Sequence, residues 1–551
     1  MLYTADFETT TNPEDCRVWA TGICEIDNDY KFCYGNNIEF LFEHAKRHEN
    51  STYYFHNLKF DGEFIINYLF SKGFSYFTDR KYLKPYSFTT LISDKGQFYS
   101  MEIMLDEKNR IKIFDSLKIL PFSVDAVAKG FNLPISKLEI DYKEDREIGH
   151  ILTDIEVEYL KCDVEIMARA LQTLFSQDLK QMTQGSNALY DYKKIVGKKN
   201  FSRWFPIPEY DYDIRQSYKG GFTYCDPRFQ GLDIDEGIVL DVNSLYPSVM
   251  YYQPLPYGEG IFFKGKYEKD DLYNLHVQML TCQFELKENH IPTIQLKNNL
   301  SFIPTQYLAS SEDEEVTLCL TSVDLELFFE HYNVYNITWH SGWKFKSTVG
   351  LFKDYIDKWN KVKVESTLNG NKAMRTLAKL MLNALYGKFA LNPNVQSKHP
   401  YYEDGLVKYR LGEKETRDPI YIPVGTFITA WARYKTITSA QKVYNRFMYA
   451  DTDSLHLKGT EIPEELEIDP VKLGAWKHES TFTRARFIRQ KTYLEEIDGK
   501  LNITCAGMPS KCYEHVTWEN FIKGSSYPGK LQLKHVKGGI ILKDIDFTIK
   551  G

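Results

Sequence analysis

A multidomain protein, an α/β unit followed by a larger α+β part, is predicted by three features of this sequence. At 551 residues the chain is too long for one hydrophobic core, so several domains of roughly 100 to 200 residues are expected. As far as the polar stretch "QMTQGSNALYDYKK", Gln181 to Lys194, short β-type runs alternate with helical patterns, as in an α/β unit. Beyond that expected boundary, turn-rich aromatic segments surround one well-formed helical pattern.

Composition narrows the class. With 43% hydrophobic and 26% charged residues the chain is expected to be folded rather than disordered. No apolar run approaches the ~18 residues of a membrane span, and acids stand where a secretory signal would be apolar, so the expected location is the cytoplasm. Nine cysteines without a C-x-x-C pair predict reduced thiols, not a zinc ribbon or a disulfide framework. A net charge of -7 excludes a uniformly basic coat, so a nucleic-acid surface has to be local. One candidate is Arg484 to Lys550, with 12 Lys and Arg against 7 Asp and Glu.

In chain order, "LYTADFETT" reads as a strand entering a core, with Asp6 and Glu8 on one face. Two carboxylates that close repel each other, so a cation is expected between them. Further signals are "YFHNLKFDGEF" with Asn57 and Asp61, and "FDSLKILPF" with Ser116 and Phe122. "TDIE", in which Thr153 and Glu156 form a capping box, opens a helix that runs to about Leu174. On it, in "YLKCD", Tyr159 and Asp163 stand four apart and share a face. Asp6, Glu8, Asp61 and Asp163 are then four carboxylates able to surround two Mg²⁺ ions ~3.5 to 4 Å apart, an arrangement suited to phosphodiester cleavage. Phe60 and Phe122 read equally well as core or as surfaces on which bases stack.

A second acidic set lies further on. "IVLDVNSLYPS" and "FMYADTDSLHL" place Asp241, and Asp451 with Asp453, at the ends of β-type runs, the latter pair in a hairpin turn. Strands meeting side by side would bring Asp241 and Asp453 to one pair of Mg²⁺ ions, with the Val242 carbonyl as a further ligand. The helix expected over Lys372 to Ala390 carries Arg375, Lys379 and Asn383 in one polar stripe, with Tyr386 nearly in line and Met374, Leu377, Met381 and Leu385 on an apolar side. A cationic stripe facing a carboxylate–metal site suits a nucleoside triphosphate, and Lys363 in "KWNKVKV" could add a phosphate contact. The simpler reading of the stripe is a solvated amphipathic face.

The ordered set D-x-E, N-x-x-x-D, Y-x-x-x-D resembles the three motifs of the proofreading 3′-5′ exonuclease domain of B-family DNA polymerases. "HNLKFDG" is particularly similar to the protein-primed polymerases of small podophages, the phi twenty-nine type. Asp241 to Pro247, Lys379 to Lys388 and Tyr449 to Ser454 resemble the family's polymerase motifs A, B and C in order. "KTY" (Lys491 to Tyr493) resembles its primer-end motif, and "YKGG" (Tyr218 to Gly221) the linker motif that coordinates synthesis with editing. The resemblance spans essentially the whole chain, although the run between Lys363 and Lys379 is longer than the family's and that between "KTY" and "CAGM" shorter.

The resemblance implies an RNase H-like exonuclease domain followed by a right-hand polymerase with two insertions. Residues 1–182 would be the exonuclease, 183–253 the first part of the palm, 254–350 insertion 1, 351–393 the fingers, 394–417 insertion 2, 418–505 the rest of the palm and 506–551 the thumb. It implies metal binding by Asp6, Glu8, Asp61 and Asp163, water orientation by Tyr159 and assistance from Lys137; Glu139 stands where a third-position Asp would be an accessory ligand, and its role is left open. Thr9, His56, Asn57, Phe60, Ser116, Leu117 and Phe122 would hold a single-stranded 3′ end. In the polymerase it implies metal binding by Asp241, Val242 and Asp453 supported by Asp451, triphosphate binding by Lys363 and Lys379 beside Arg375 and Asn383, exclusion of a 2′-hydroxyl by Tyr246 and base packing by Tyr386. Lys491 and Tyr493 would serve the primer end, and Tyr218, Gly220 and Gly221 the DNA. Two Mg²⁺ per site, replaceable by Mn²⁺, are expected. So are primer-template DNA, dNTPs, and a terminal protein as primer to a monomer or heterodimer in a phage-infected host's cytoplasm. Two other readings are a nuclease whose C-terminal part only grips DNA, and a non-enzymatic DNA-binding protein.

Overall fold

The computed structural model describes residues 1–27, 29–141, 144 and 146–550. An eight-stranded sheet organises the N-terminal unit. Its spatial order is Phe32–Gly35, Val18–Glu25, Leu2–Thr9, Thr52–Phe55, Arg110–Asp115, Phe98–Met104, Ser87–Ile92 and Ser75–Tyr76. Leu2–Thr9 runs antiparallel to Val18–Glu25 and parallel to Thr52–Phe55, a pairing that needs the crossover supplied by helix Glu39–Arg47. Helix Asp154–Ser176 packs on the strand that carries Asp6 and Glu8. It starts where "TDIE" predicts: Glu156 N donates to Thr153 Oγ1 at 3.3 Å, and Thr153 N donates to Glu156 Oε2 at 2.9 Å.

The polar stretch at the expected boundary is largely a helix, Gln184–Val196, capped by Thr183. Tertiary partners use its polar groups. Asp191 accepts from Trp359 Nε1 at 2.8 Å and from Lys358 Nζ at 2.6 Å, and Tyr192 is fully buried with its hydroxyl donating to Leu351 O at 2.8 Å.

A five-stranded antiparallel sheet centres the second part, in the order Trp476–Phe482, Gly237–Val242, Ser454–Lys458, Phe447–Asp451 and Thr223–Cys225. Helix Ile422–Lys442 lies against it, buried all round as far as Ala430 and then half-exposed along one side that carries Trp431, Tyr434, Lys435 and Thr438. Helices Lys353–Leu368 and Lys372–Ala384 form an antiparallel pair beside it. The expected single helix to Ala390 is broken at Leu385, and a short helix Tyr386–Phe389 follows. Gly387 is a poor helix former, and the break coincides with face-to-face stacking of Tyr386 on Tyr246, ring centroids 3.9 Å apart.

Between the strands of the central sheet the chain makes two excursions. The first is a four-stranded sheet, Leu255–Lys264, Tyr332–Thr348, Leu275–Leu286 and Val316–Thr321, with helix Ser322–His331 and a core of its own around Phe284, Phe328 and Tyr332. The second is a hairpin, Asn394–Glu403 and Leu406–Thr416, turned by Asp404 and Gly405, both at positive φ as a two-residue turn prefers. It leans on the N-terminal unit: Tyr409 Oη donates to Glu63 Oε2 at 2.8 Å, Tyr76 Oη and His399 Nδ1 are 2.8 Å apart, and Phe70 stacks on Tyr402. A C-terminal hairpin, Ser526–Val536 and Gly539–Thr548, reaches the same unit. At its tip Gly538, φ 95°, passes so close to Cys16 O that a β-carbon would stand 2.1 Å from it, so only glycine fits. All nine cysteines are free, and among the described residues no helix is long and apolar enough to cross a membrane.

Candidate active sites

In the N-terminal unit, the central strand brings Asp6 and Glu8 to a cleft of about 390 Å³, where helix Leu58–Ser71 contributes Asp61 and helix Asp154–Ser176 contributes Tyr159 and Asp163. A lysine also lies among these acids. Lys137 Nζ lies 2.7 Å from Asp163 Oδ2 and above the Tyr159 ring. Burial and mutual repulsion set the electrostatics. Asp6 is pushed up to about 7 by burial and then by Asp163, with Lys137 opposing. Burial, followed by the neighbouring acids, holds Glu8 and Asp61 well above the ordinary carboxylate range, and burial raises Asp163 against the pull of Lys137 and the Tyr159 hydroxyl. Asp61 Oδ1 and Asp163 Oδ1 are buried with no hydrogen-bond partner. Such oxygens are costly unless something cationic or donating binds them.

The lip of this cleft is polar and aromatic. Thr9, His56, Asn57 and Phe60 line it, and Phe60 also packs against the core, so both readings of that ring hold. His56 is fixed by Ser116 Oγ at 3.0 Å and Phe122 O at 2.7 Å, while Ser116 Oγ also donates to Phe55 O at 3.1 Å. Ser116 is thus buried behind His56 rather than open to a ligand, and neither Leu117 nor Phe122 is among the cleft-lining residues. Asn57 is exposed at φ 72°, its N–H donating to Asp115 Oδ1 at 3.0 Å. Glu139 is exposed and lies outside the cleft lining, so it is not gathered with the four acids. Ile540, Ile541 and Leu542 of the C-terminal hairpin close one wall. No local signal in the sequence joins them to residues more than 370 positions earlier.

At the central sheet, the strand ending in Asp241 pairs with both Ser454–Lys458 and Trp476–Phe482. Val242 N donates to Asp453 O at 2.8 Å, which locks the Asp241 strand to the turn at Thr452. That turn has Thr452 at φ 60°, and Gly221 approaches it so closely that a β-carbon would meet the Thr452 side chain at 2.7 Å, a reason for glycine in "YKGG". Tyr218 is half-buried and Gly220 exposed, its carbonyl accepting from buried Arg433 at 2.9 Å. Lys491 Nζ lies 2.8 Å from Asp451 Oδ1, and its N–H donates to Tyr449 Oη at 2.8 Å; Tyr493 packs against Tyr449 and Phe487. Asp453 is pushed up to about 6 by burial and by Asp241. Burial raises Asp241 while Lys477 opposes.

Facing these acids, Arg375, Lys379 and Asn383 are exposed on one side of their helix, and Leu377, Met381 and Leu385 are buried on the other. Burial and their neighbours' charges lower both Lys363 and Lys379. Each neighbour is cationic, Lys477 among them, so the cluster is an excess of positive charge awaiting an anion. Lys477, opposite Asp241 across the sheet, was not anticipated, because only the strand register brings it there. Among the described residues no three His, Cys, Asp or Glu side chains already form a closed metal cage. Mg²⁺ at phosphoryl-transfer sites takes one or two carboxylates with the rest of its shell from phosphate and water, and two hard-oxygen clusters with desolvated carboxylates fit that donor set.

Comparison with known proteins gives the family and the fold. Residues 45–156 and 144–469 match the family profile of DNA polymerase type B, organellar and viral. The chain is 48% identical to the DNA polymerase of Bacillus phage phi29 over 576 residues, covering 100% of this chain and 99% of that one. It is 31% identical to the DNA polymerase of Streptococcus phage Cp-1, covering 100% and 98%. Its fold is similar to that of phi29 DNA polymerase complexed with primer-template DNA and incoming nucleotide substrates, with a TM-score of 0.94, 47% identity and full coverage of both chains.

Proposed function

This chain belongs to the organellar and viral type B DNA polymerases and is a phi29-type DNA-directed DNA polymerase, and from that premise we propose that it replicates a linear phage genome from a protein primer, proofreads 3′ to 5′ and displaces the strand ahead. The observation that carries this reading is the presence of two separate carboxylate clusters in one chain. One lies deep in a small cleft beside Lys137, and the other lies beside a row of cations and two stacked tyrosines.

In the cleft, Asp6, Glu8, Asp61 and Asp163 would hold divalent ions, Mg²⁺ or in its place Mn²⁺; their partnerless buried oxygens support this. At the central sheet Asp241, Asp453 and the Val242 carbonyl would do so. Such ions, when bound, neutralise charge that develops on the phosphate oxygens. The rest is this chain's own work. Lys137 favours the ionised form of Asp163, and the Tyr159 hydroxyl orients the attacking water. Thr9, His56, Asn57 and Phe60 hold the frayed 3′ end, with Ser116, Leu117 and Phe122 behind them. Ile540 to Leu542 keep solvent and duplex out of the cleft. In the extension site Lys363, Arg375, Lys379 and Asn383 grip the triphosphate in line. The Tyr246 ring occupies the place of a 2′-hydroxyl, the feature that separates ribose from deoxyribose, and Tyr386 packs on the base. Lys491 braces Asp451 beneath the primer end, Tyr493 supports the same strand, and Tyr218, Gly220 and Gly221 contact DNA passing between the two sites.

The proposed division into exonuclease (1–182), palm (183–253 and 418–505), fingers (351–393) and thumb (506–551) follows these roles. The first excursion, 254–350, would receive a terminal protein that offers the priming hydroxyl. The second, 394–417, would help encircle the template in the host cytoplasm. Incubation with labelled primer-template and Mg²⁺ tests the pairing of activities: with dNTPs the primer should lengthen, and without them it should shorten from its 3′ end. Lengthening without any shortening would remove the proofreading half of the reading.

A further inference from the structure

One cation stands between the acids of the extension site and its phosphate-gripping row. Lys477 lies on strand Trp476–Phe482, in register directly opposite Asp241. Its Nζ is 3.2 Å from Asp241 Oδ2 and 3.4 Å from Glu479 Oε2, and its side chain is about one-third exposed. The same ammonium is near enough to Lys363 and Lys379 to oppose their charged forms, and to Asp453 to favour its ionised form. Surface ion pairs are usually worth little. This one differs because Asp241 also faces Asp453, and two such carboxylates repel unless positive charge lies with them. A lysine is a compact charge on a flexible four-carbon stem, so it can hold one anion and then another.

We propose that Lys477 is a mobile charge of the extension site: it neutralises Asp241 while neither metal nor nucleotide is bound, and moves to the phosphate tail of an incoming nucleoside triphosphate once divalent ions occupy the acids. This rests on the reading of Asp241 and Asp453 as metal acids. Two consequences follow from the geometry. Divalent ions have to displace the ammonium, so the nucleotide-free site binds them weakly. Once displaced, the ammonium has as its nearest anion the triphosphate already gripped by Lys363, Arg375 and Lys379, so it adds nucleotide affinity more than rate.

The test uses the full chain carrying Asp6→Ala and Glu8→Ala, which weakens competing binding in the cleft. Mn²⁺ binding is followed by electron paramagnetic resonance without DNA or nucleotide, and KM and kcat for a dNTP are measured on matched primer-template. Lys477→Met is expected to bind Mn²⁺ roughly threefold or more tighter and to raise KM by a larger factor than it changes kcat, while Lys477→Arg stays close to the parent in both. Unchanged Mn²⁺ affinity in the methionine variant overturns the proposal, as does tighter Mn²⁺ binding with an unchanged KM. Asp453→Asn in the same background separates this outcome from the reading beneath it. A Mn²⁺ signal that this change leaves untouched contradicts the metal-acid assignment itself, and the role of Lys477 falls with it.

Discussion

The cleft and the central sheet solve the same electrostatic problem in different ways. In the cleft, Glu8, Asp61 and Asp163 are nearly withdrawn from solvent, and Lys137 pairs with Asp163. At the sheet, Asp241, Asp451 and Asp453 are only partly buried, and two of the three have a lysine of their own, Lys477 and Lys491. A site that receives one phosphodiester at a strand end can leave its acids underneutralised until a metal arrives. A site that receives a triphosphate and releases pyrophosphate needs cations for the tail as well, the role proposed for Lys363, Arg375 and Lys379 on the helix pair. On the proposed reading, burial tunes the editing site and charge balance tunes the extension site.

That contrast can be broken from the nucleotide side. Tyr246→Val should let ribonucleotides in, reducing sugar discrimination by roughly one to two orders of magnitude, while excision rates stay at the parent's level. Steady-state incorporation of rNTPs against dNTPs measures this. Unchanged discrimination would make the Tyr246–Tyr386 stack plain packing.

A smaller effect is expected from the second excursion, which leans on the editing domain yet is assigned to extension. Removing Asn394 to Arg417 and rejoining the ends should leave excision and short gap filling intact. Synthesis through long duplex should fall on the order of tenfold, because a clamp acts through dissociation. Product lengths on a nicked circular template report it, and parent-like products from the folded variant would contradict the clamp assignment.

The smallest effect sharpens the difference in burial. Burial pushes Asp6 up to about 7 and Asp453 up to about 6. A proton on either acid competes with metal, so the metal requirement rises as pH falls through each value. Excision should therefore need several-fold more Mg²⁺ at pH 6.5 than at pH 8, with a weaker change for extension. Equal Mg²⁺ shifts for the two activities would contradict the burial contrast.

Local spacing made much of this architecture legible. Alternation put Asp6 and Glu8 on one face, the i, i+4 spacing put Tyr159 with Asp163, and "TDIE" marked the helix start within a residue. The stripe of Arg375, Lys379 and Asn383 followed from helical periodicity. What escaped depends on distant partners. The helix through Asp191 and Tyr192 gets its purpose only when Trp359 and Leu351 are placed against it. Lys477 acquires meaning only through strand register, Ile540 to Leu542 only through a hairpin that returns from the C-terminus, and the break at Leu385 only beside Tyr246. Ser116 has the right residue type near the cleft, but its hydroxyl is spent on His56 and Phe55.

The central claim, two sites with separate acids, is tested most directly by paired variants on one labelled primer-template. Asp6→Ala with Glu8→Ala should lower excision by at least ~10³-fold and leave extension of a matched primer near the parent's rate. Asp453→Asn should do the reverse. Loss of both activities in either folded variant would contradict the account.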